Sequence, residues 1–452
     1  MKIKNKKILV LGLGISGIST AKALTKMGAN VIINDSKSKE QLKEQLKDIK
    51  DINATFYLGT NSIDLNDIDL IIKSPGVPLD VDIIKEAKDN NIEVITDIEL
   101  AYRISSNNFI AITGTNGKTT TTTLVGEIFE NSNRNCHVTG NIGVGILWEL
   151  VNSKEDESFI IETSSFQLES IKTFKPNTSV IINVTPDHIK WHKNFENYFN
   201  AKKKVFLNQD NKDYTILNYD DPLLKNLDDE IKSNVLYFSQ KEELKKGIYI
   251  KDENIVINDG KNIKTVMKYR DIKIPGKHNL ENALAAVAVA WVNDIDIDVI
   301  KNSLNNFEGV EHRLEYVDNV NGVNYYNDSK GTNPNASMKA LEALNKPIIL
   351  IAGGYDKGSE FKEFIEAFNG KVKSLILLGE TKEIIKKTAK KLGYNDIYLV
   401  KDMDDAVKKA SLVSERGDNV LLSPACASWD MYSSYEQRGK DFKKCVYNLR
   451  RI

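Results

Sequence analysis

The 452-residue sequence predicts an α/β protein of three successive units, each built on a largely parallel sheet. Three observations carry this. Short buried apolar runs alternate with amphipathic or charged stretches along the chain, several of these runs end in glycine turns, and the length is about three times the roughly 150 residues of an average domain. With 41% hydrophobic and 28% charged residues, the composition supports large cores and excludes disorder for most of the chain. Lysine plus arginine total 62 against 63 aspartate plus glutamate, a net charge of -1, which leaves no electrostatic case for a general nucleic-acid binder or a polybasic membrane surface. Cys136, Cys426 and Cys445 form neither a CxxC pair nor a disulfide framework, which suits a reducing, cytoplasmic setting. No apolar run approaches the roughly 20 residues that cross a bilayer. The opening MKIKNKKILVLGLG is cut by Gly12, Gly14 and Gly17 and reads as a strand entering a turn rather than a signal peptide.

The first unit, residues 1–103, runs KILVLGLG, a helix through Met27, VIINDS, a charged helix, LIIKSPG and EVITD, which predicts a small doubly wound parallel sheet. Gly12-Leu13-Gly14-Ile15-Ser16-Gly17 follows the first strand, and Asp35 ends the second, where a ribose-binding acid would sit. The residues alone leave three readings open: NAD binding, capture of another nucleotide diphosphate at the helix N-terminus, or glycines that only let strand and helix pack closely. Ser74-Pro75-Gly76 ends a further strand and faces the same crevice.

The second unit, residues 104–309, opens with FIAITGTNGKTTTTTLV and continues through FIIETSS, SVIINVTPDH, YTILN and a hairpin-like IVINDGKNIK to an alanine-rich helix after His278. Gly114-Thr115-Asn116-Gly117-Lys118-Thr119-Thr120 lies between a buried strand and a helix, so its backbone N–H groups are placed to cradle phosphate, with Lys118 on the β/γ-phosphates and Thr119 on Mg²⁺. The general phosphate-loop spacing asks for glycine where this chain has Ile112, so the match covers only the second half of that pattern. Glu162, at the end of SFIIE, is placed to complete Mg²⁺ coordination or to cap a helix. His188 and His192 in VTPDHIKWH have i, i+4 spacing, but no third ligand or HExxH pattern argues for zinc. On composition alone Lys202, Lys203 and Lys204 read as a solvated basic helix face. Asn279 and Asn282, three apart near a helix start, suit an N-cap or a purine edge.

The third unit, residues 310–452, carries PIILIAGG, SLILLG, DIYLV and NVLLSPA between charged helical stretches. Arg313 and Asp328, near turn residues, suit phosphate and ribose contacts. Cys426 lacks a histidine or asparagine partner pattern and reads as a small buried residue.

Together these segments resemble the Mur ligase family over essentially the whole chain. The resemblance rests on GTNGKTT, TGNIG (139–143), ETSSFQLE (162–169), TPDHIKWH, GKHNLEN, NDSKGTNP, SPACASWD and YEQRG (435–439). It implies an N-terminal Rossmann-like domain for a uridine nucleotide, a central P-loop ATPase-like domain with a mixed sheet, and a C-terminal Rossmann-like domain that takes the amino acid and closes over the site. The short phosphate loop is the form this family uses. ETSSFQLE and SPACASWD resemble the member that adds D-glutamate to UDP-N-acetylmuramoyl-L-alanine through an acyl phosphate, in peptidoglycan precursor synthesis. The resemblance then places Ile15, Ser16, Asp35, Ser36, Lys37, Gly76 and Asn141 at the UDP moiety rather than at NAD, and residues 114–120, Asn279, Asn282, Arg313 and Asp328 at ATP. D-Glutamate would meet His188, Thr332, Lys357, Ser428 and Tyr435. One Mg²⁺ would sit on Thr119 and Glu162, and a second near His188 and a carbamate on Lys202. The catalytic set is Lys118, Asn141, Glu162, His188 and Lys202. The expected protein is a monomeric cytoplasmic enzyme with no nucleic-acid or membrane partner. A folylpolyglutamate synthase-like ligase is opposed by the N-terminal nucleotide unit and ETSSFQLE, and a non-catalytic nucleotide-binding regulator by the presence of Lys118, Glu162 and His188.

Overall fold

The computed structural model describes residues 1–274, 276–345, 347–356 and 358–450. Its first sheet comprises β1 (Lys7–Leu11), β2 (Asn30–Asp35), β3 (Ala54–Leu58), β4 (Leu70–Lys73) and β5 (Glu93–Ile95), all parallel in the order β3-β2-β1-β4-β5. The inner strands are continuous runs of Ile, Leu and Val because helices cover both faces. The order reverses between β1 and β4, and a crevice opens at the carboxyl ends of such strands. The charged stretch after β2 contains the short helix Lys43–Lys47, and sequence reading missed β3, an edge strand whose Thr55, Phe56 and Tyr57 are exposed.

The central sheet comprises β6 (Asn108–Thr113), β7 (Cys136–Gly140), β8 (Ser158–Glu162), β9 (Thr178–Ile181), β10 (Tyr214–Asn218), β11 (Asn234–Ser239), β12 (Gly247–Lys251), β13 (Asn254–Asn258) and β14 (Ile263–Lys268), ordered β14-β13-β12-β11-β10-β9-β6-β8-β7. It is parallel from β7 to β12. The antiparallel pairs β12–β13 and β13–β14 then make it mixed, as expected from IVINDGKNIK. The register sets Ile112 of β6 against Glu162 of β8, so the glutamate emerges beside the glycine turn that follows β6.

The third sheet comprises β15 (Glu315–Val320), β16 (Val323–Asn327), β17 (Ile348–Ala352), β18 (Val372–Leu377), β19 (Ile397–Leu399) and β20 (Asn419–Leu422), ordered β15-β16-β20-β17-β18-β19. Only β15 runs antiparallel, as an edge hairpin with β16.

Two compact units result, residues 1–271 with 281–305 and residues 272–280 with 306–452. The first two sheets therefore share a unit, and the reason is visible in its side chains. Ile8, Val10 and Ile95 belong to the same apolar cluster as Phe109, Ile146 and Phe159. Truncating a buried phenylalanine such as Phe109 to alanine would cost about 3–5 kcal/mol. Glu99 of helix Asp97–Ile104, fully buried, accepts hydrogen bonds from the backbone of Lys172, Thr173 and Phe174, from Thr173 Oγ1 at 2.6 Å and from Arg103 Nε at 2.7 Å. A carboxylate tolerates such burial only when donors replace its water. Ser19 Oγ adds a second tie, donating to Gly145 O at 2.6 Å and accepting from Trp148 N, and the approach is close enough that a Cβ on Gly145 would lie 2.4 Å from Ser19 Cβ.

Candidate functional site

At the carboxyl ends of β1, β2 and β4 lies a cavity of about 730 Å³. Its lining includes Ile15, Ser16, Asp35, Ser36, Lys37, Gly76 and Asn141, so the structure brings together every residue expected around the UDP moiety. Asp35 works locally: its carboxylate accepts from Leu13 N at 2.7 Å and Lys37 N at 2.9 Å, which fixes the turn from both sides. Gly12 has φ +91°, and a Cβ on Gly17 would lie 2.0 Å from Gly12 O, so both positions need glycine. Ser16 Oγ donates to Asp97, a buried acid whose pKa is raised by that burial and which also accepts from Gln167 Nε2 at 3.5 Å. Lys73, buried beneath the same crevice, has its pKa pulled down by burial to about 8. Sequence reading gave no role to Asp97 or Lys73. IIKSPG carried the only signal, a lysine inside an apolar run.

The second turn lies between β6 and the helix Lys118–Asn131. Gly117 is its N-cap at φ +84°, and a Cβ there would lie 2.1 Å from Asn282 Oδ1. Asn183 holds the loop, accepting from Asn116 N at 2.9 Å and donating to Glu281 Oε1 at 2.7 Å. Thr115 Oγ1 is 3.0 Å from Tyr198 OH. Lys118 Nζ folds back on the turn and donates to Gly114 O and Thr115 O, both at 2.9 Å. Thr119 and Thr120 are buried in the first helical turn.

Lys202 arrives at the same carbonyl. It is 1% exposed on helix Phe195–Leu207, and its Nζ donates to Gly114 O at 2.7 Å and lies 4.7 Å from the centre of the Tyr198 ring. Burial, then the positive charge of Lys118, pushes its pKa well below the usual lysine value, against the pull of Asp187 and Glu162. The solvated-face reading is therefore corrected for Lys202. Lys203 instead pairs with Glu230 at 2.7 Å and Lys204 donates to Glu169 O at 2.6 Å, because successive helical residues point about 100° apart.

Glu162 is 2% exposed, its Oε1 accepts from Asn141 Nδ2 at 2.9 Å, and its Oε2 is buried without a hydrogen-bond partner among the described residues. An unpaired buried carboxylate oxygen is costly, and a divalent cation would satisfy it. His188 sits at φ +53° at the start of helix Ile189–His192, with its ring edge-on to Phe166 at 4.8 Å and its Nε2 3.5 Å from Asp187 Oδ2. His192 is different: buried, stacked on Phe166 and 3.0 Å from Ser165 Oγ, with its pKa lowered by burial. The two histidines thus have separate environments despite their spacing.

In the C-terminal unit Asp328 is buried at the end of β16 and accepts from Ser423 Oγ at 2.7 Å and Leu314 N at 3.2 Å. Burial raises its pKa to about 6, while Arg313 opposes the rise. Arg313 Nε is buried without a hydrogen-bond partner among the described residues, a donor open to an anion. Asn279 is buried in the first turn of helix Lys277–Val292, and residues 272–280, which include it, belong to this unit. Thr332 follows the Asp328 turn, Ser428 is buried in the loop after β20, and Tyr435 opens helix Tyr435–Leu449 with Lys330 Nζ 5.5 Å from its ring centre. Lys357 lies outside the described residues. The neighbouring Asp356 carboxylate accepts from Gly358 N at 2.7 Å. Cys426 is buried and its thiol pushed up to about 11, as expected of a packing residue.

Comparison with known proteins gives three consecutive family matches: the Mur ligase MurD-like N-terminal domain over residues 6–96, the Mur ligase middle domain over 112–290 and the Mur ligase glutamate ligase domain over 312–426. The chain is 52% identical to the UDP-N-acetylmuramoylalanine–D-glutamate ligase of Thermoanaerobacter sp. (strain X514) and 50% identical to that of Clostridioides difficile (strain 630), with 100% of each chain covered in both cases. Among solved structures, the UDP-N-acetylmuramate-alanine ligase of Thermotoga maritima superposes with TM-score 0.62 at 19% identity, covering 98% of this chain and 99% of that one. The MurF ligase of the same organism, in complex with ADP, gives 0.60 at 16% identity over 99% of both chains, a likeness of fold. With its three matched segments in order and full-length relatives at half identity, the chain belongs to the Mur ligase family.

Proposed function

We propose that this chain is an ATP-dependent ligase that joins D-glutamate to UDP-N-acetylmuramoyl-L-alanine in peptidoglycan precursor synthesis. Full-length identity of 52% to a ligase of that name carries the substrate assignment. The convergence of Lys118 and Lys202 on Gly114 O, in the same unit as the unpaired Glu162 Oε2, supports the chemistry. The domains run 1–103, 104–309 and 310–452. The first cavity takes the UDP moiety, and its glycine turn offers backbone N–H groups to a diphosphate.

A carboxylate is a poor electrophile. The terminal carboxylate of the UDP substrate therefore attacks the γ-phosphate of ATP, ADP leaves, and an acyl phosphate forms. The neutral amine of D-glutamate attacks the acyl carbon, phosphate leaves, and the amine sheds a proton to give the amide. Negative charge gathers on the transferred phosphoryl group, so Lys118 leaves its loop carbonyls for the β/γ-phosphates and the backbone N–H groups of 114–117 orient them. Asn141 holds Glu162 in place. Thr119 and Glu162 would hold one Mg²⁺, and His188 with a carbamylated Lys202 a second. Bound there, the cations would neutralise phosphate charge. An ammonium has no lone pair to offer, whereas burial favours the neutral Lys202 amine, the form that adds carbon dioxide with loss of one proton. The proximity of Asn282 to Gly117 supports its role at the nucleotide, while Asn279, Arg313 and Asp328 at ATP, and His188, Thr332, Lys357, Ser428 and Tyr435 at D-glutamate, rest on resemblance.

The test is phosphate release by the purified protein. It should require ATP, Mg²⁺, UDP-N-acetylmuramoyl-L-alanine and D-glutamate together. Turnover with a folate acceptor, or nucleotide binding without turnover, would replace this reading.

A further inference from the structure

Arg438 lies in the first turn of helix Tyr435–Leu449 and is 2% exposed. Its Nε donates to Ser329 Oγ at 3.0 Å, its Nη2 to Ser329 O at 2.8 Å and Cys426 O at 3.1 Å, and its Nη1 to Cys426 O and Ala427 O at 3.1 Å. Among the described residues no carboxylate comes within 4.0 Å of it. Three backbone carbonyls and the Ser329 hydroxyl replace its water. Burial draws its pKa down to about 10, so the guanidinium remains charged at neutral pH.

The acceptors belong to loops that converge on this one group. Ser329 follows Asp328 and passes the network on, its hydroxyl donating to Tyr435 O at 2.8 Å. Ala427 precedes Ser428, and its carbonyl also accepts from Tyr355 N at 2.9 Å. Gly354 packs so closely that a Cβ on it would lie 2.2 Å from Ala427 O and 3.1 Å from Arg438 Nη1. Eight arginines stand among the 62 basic residues of this chain. An arginine in so lysine-rich a sequence marks a place where a planar fork of donors is needed, which an ammonium cannot supply.

We propose that Arg438 is the positioning residue of the amino-acid subsite and the source of its preference for a dicarboxylic amino acid. It holds the loops that carry Thr332, Ser428 and Tyr435 in one arrangement, and its guanidinium, which no carboxylate among the described residues meets within 4.0 Å, lends that region a positive potential. This rests on the reading that the C-terminal unit takes D-glutamate.

The test is steady-state kinetics of the wild type, Arg438→Lys, Arg438→Ala and Ser329→Ala, varying each substrate in turn and recording Tm. In both Arg438 variants the KM for D-glutamate should rise at least tenfold while those for ATP and the UDP substrate stay within twofold. The kcat/KM ratio of D-glutamate over D-glutamine should fall, and millimolar guanidinium should restore part of the loss in Arg438→Ala. Ser329→Ala, which leaves the charge in place, should raise the D-glutamate KM about threefold and decides the matter should Arg438→Ala not fold. An unchanged D-glutamate KM, or a rise in all three KM values alongside a fall in Tm, would overturn the inference. A wild type that does not use D-glutamate would instead overturn the functional reading on which it rests.

Discussion

After β1 the backbone turns at Gly12, with φ +91°, into helix Ile15–Lys26; after β6 it turns at Gly114, with φ +155°, and Gly117 into helix Lys118–Asn131. Both turns present backbone N–H groups at the end of a central strand, and on that ground alone both suit phosphate. Their side chains part company. The first turn is braced by the Asp35 carboxylate on Leu13 N and Lys37 N, and Lys37 lines the same cavity. The second has two lysines on one carbonyl and an acid with an unpaired oxygen in the neighbouring strand. The backbone supplies anion affinity in each case. On the proposed reading, the side chains decide whether the anion is merely held or has a phosphoryl group moved.

The largest effect should come from Lys118→Ala. It should lower ligation by at least about 10²–10³-fold, as loss of a main electrostatic stabiliser does. UDP-substrate affinity, measured by calorimetry, should stay unchanged, and equal loss of both would erase the distinction between the turns. Next is Lys202→Ala, expected to cost about 10–100-fold through the lost metal-holding group. Acetate or formate should restore part of the rate by supplying carboxylate oxygens, whereas Lys203→Ala and Lys204→Ala should be mild. Rescue at Lys203 instead would move the assignment.

Asp35→Ala should sharpen the contrast from the other side. It should weaken UDP-substrate binding about tenfold, or about 1.4 kcal/mol, by freeing Leu13 N and Lys37 N from their brace, and leave ATP affinity alone. NAD should bind neither protein, and tight NAD binding would revive the dinucleotide reading. The smallest effect lies outside both turns and calibrates stability. Burial, then Arg313 and Lys339, lowers the His278 pKa to about 4, so from pH 6.5 down towards 4 the unfolded chain binds the proton that the folded one refuses. Stability contributed there is present above pH 6.5 and is lost as pH falls. His278→Gln should flatten the acid side of a Tm-against-pH curve by a few degrees, and an unaltered curve would show that His278 is not the group responsible.

Much of this was legible in the sequence because it is local. GTNGKTT and GLGISG each combine strand, turn and helix within a few residues, and the seven residues expected around the first cavity do line it. What was not legible depends on chain segments far apart. Asp97 matters through Ser16, 81 residues away, and Arg438 through Ser329, 109 residues away. Lys202 is a clear instance. Composition dismissed it, only resemblance singled it out, and its burial against Gly114 gives the physical reason. Strands β11, β12 and β15 escaped the sequence reading for the same reason as β3: they carry polar or half-exposed positions where a central strand would be uniformly apolar.

The buried carboxylate of Glu99, which ties helix Asp97–Ile104 to residues 172–174, has a thermodynamic consequence. With that tie and one apolar cluster running through both sheets, the first cavity and the phosphate loop should open to solvent as one cooperative unit. Hydrogen exchange at the amides of 114–120 should therefore slow when only the UDP substrate is added. The ligand of one turn would lend its binding free energy to the other before any nucleotide triphosphate arrives.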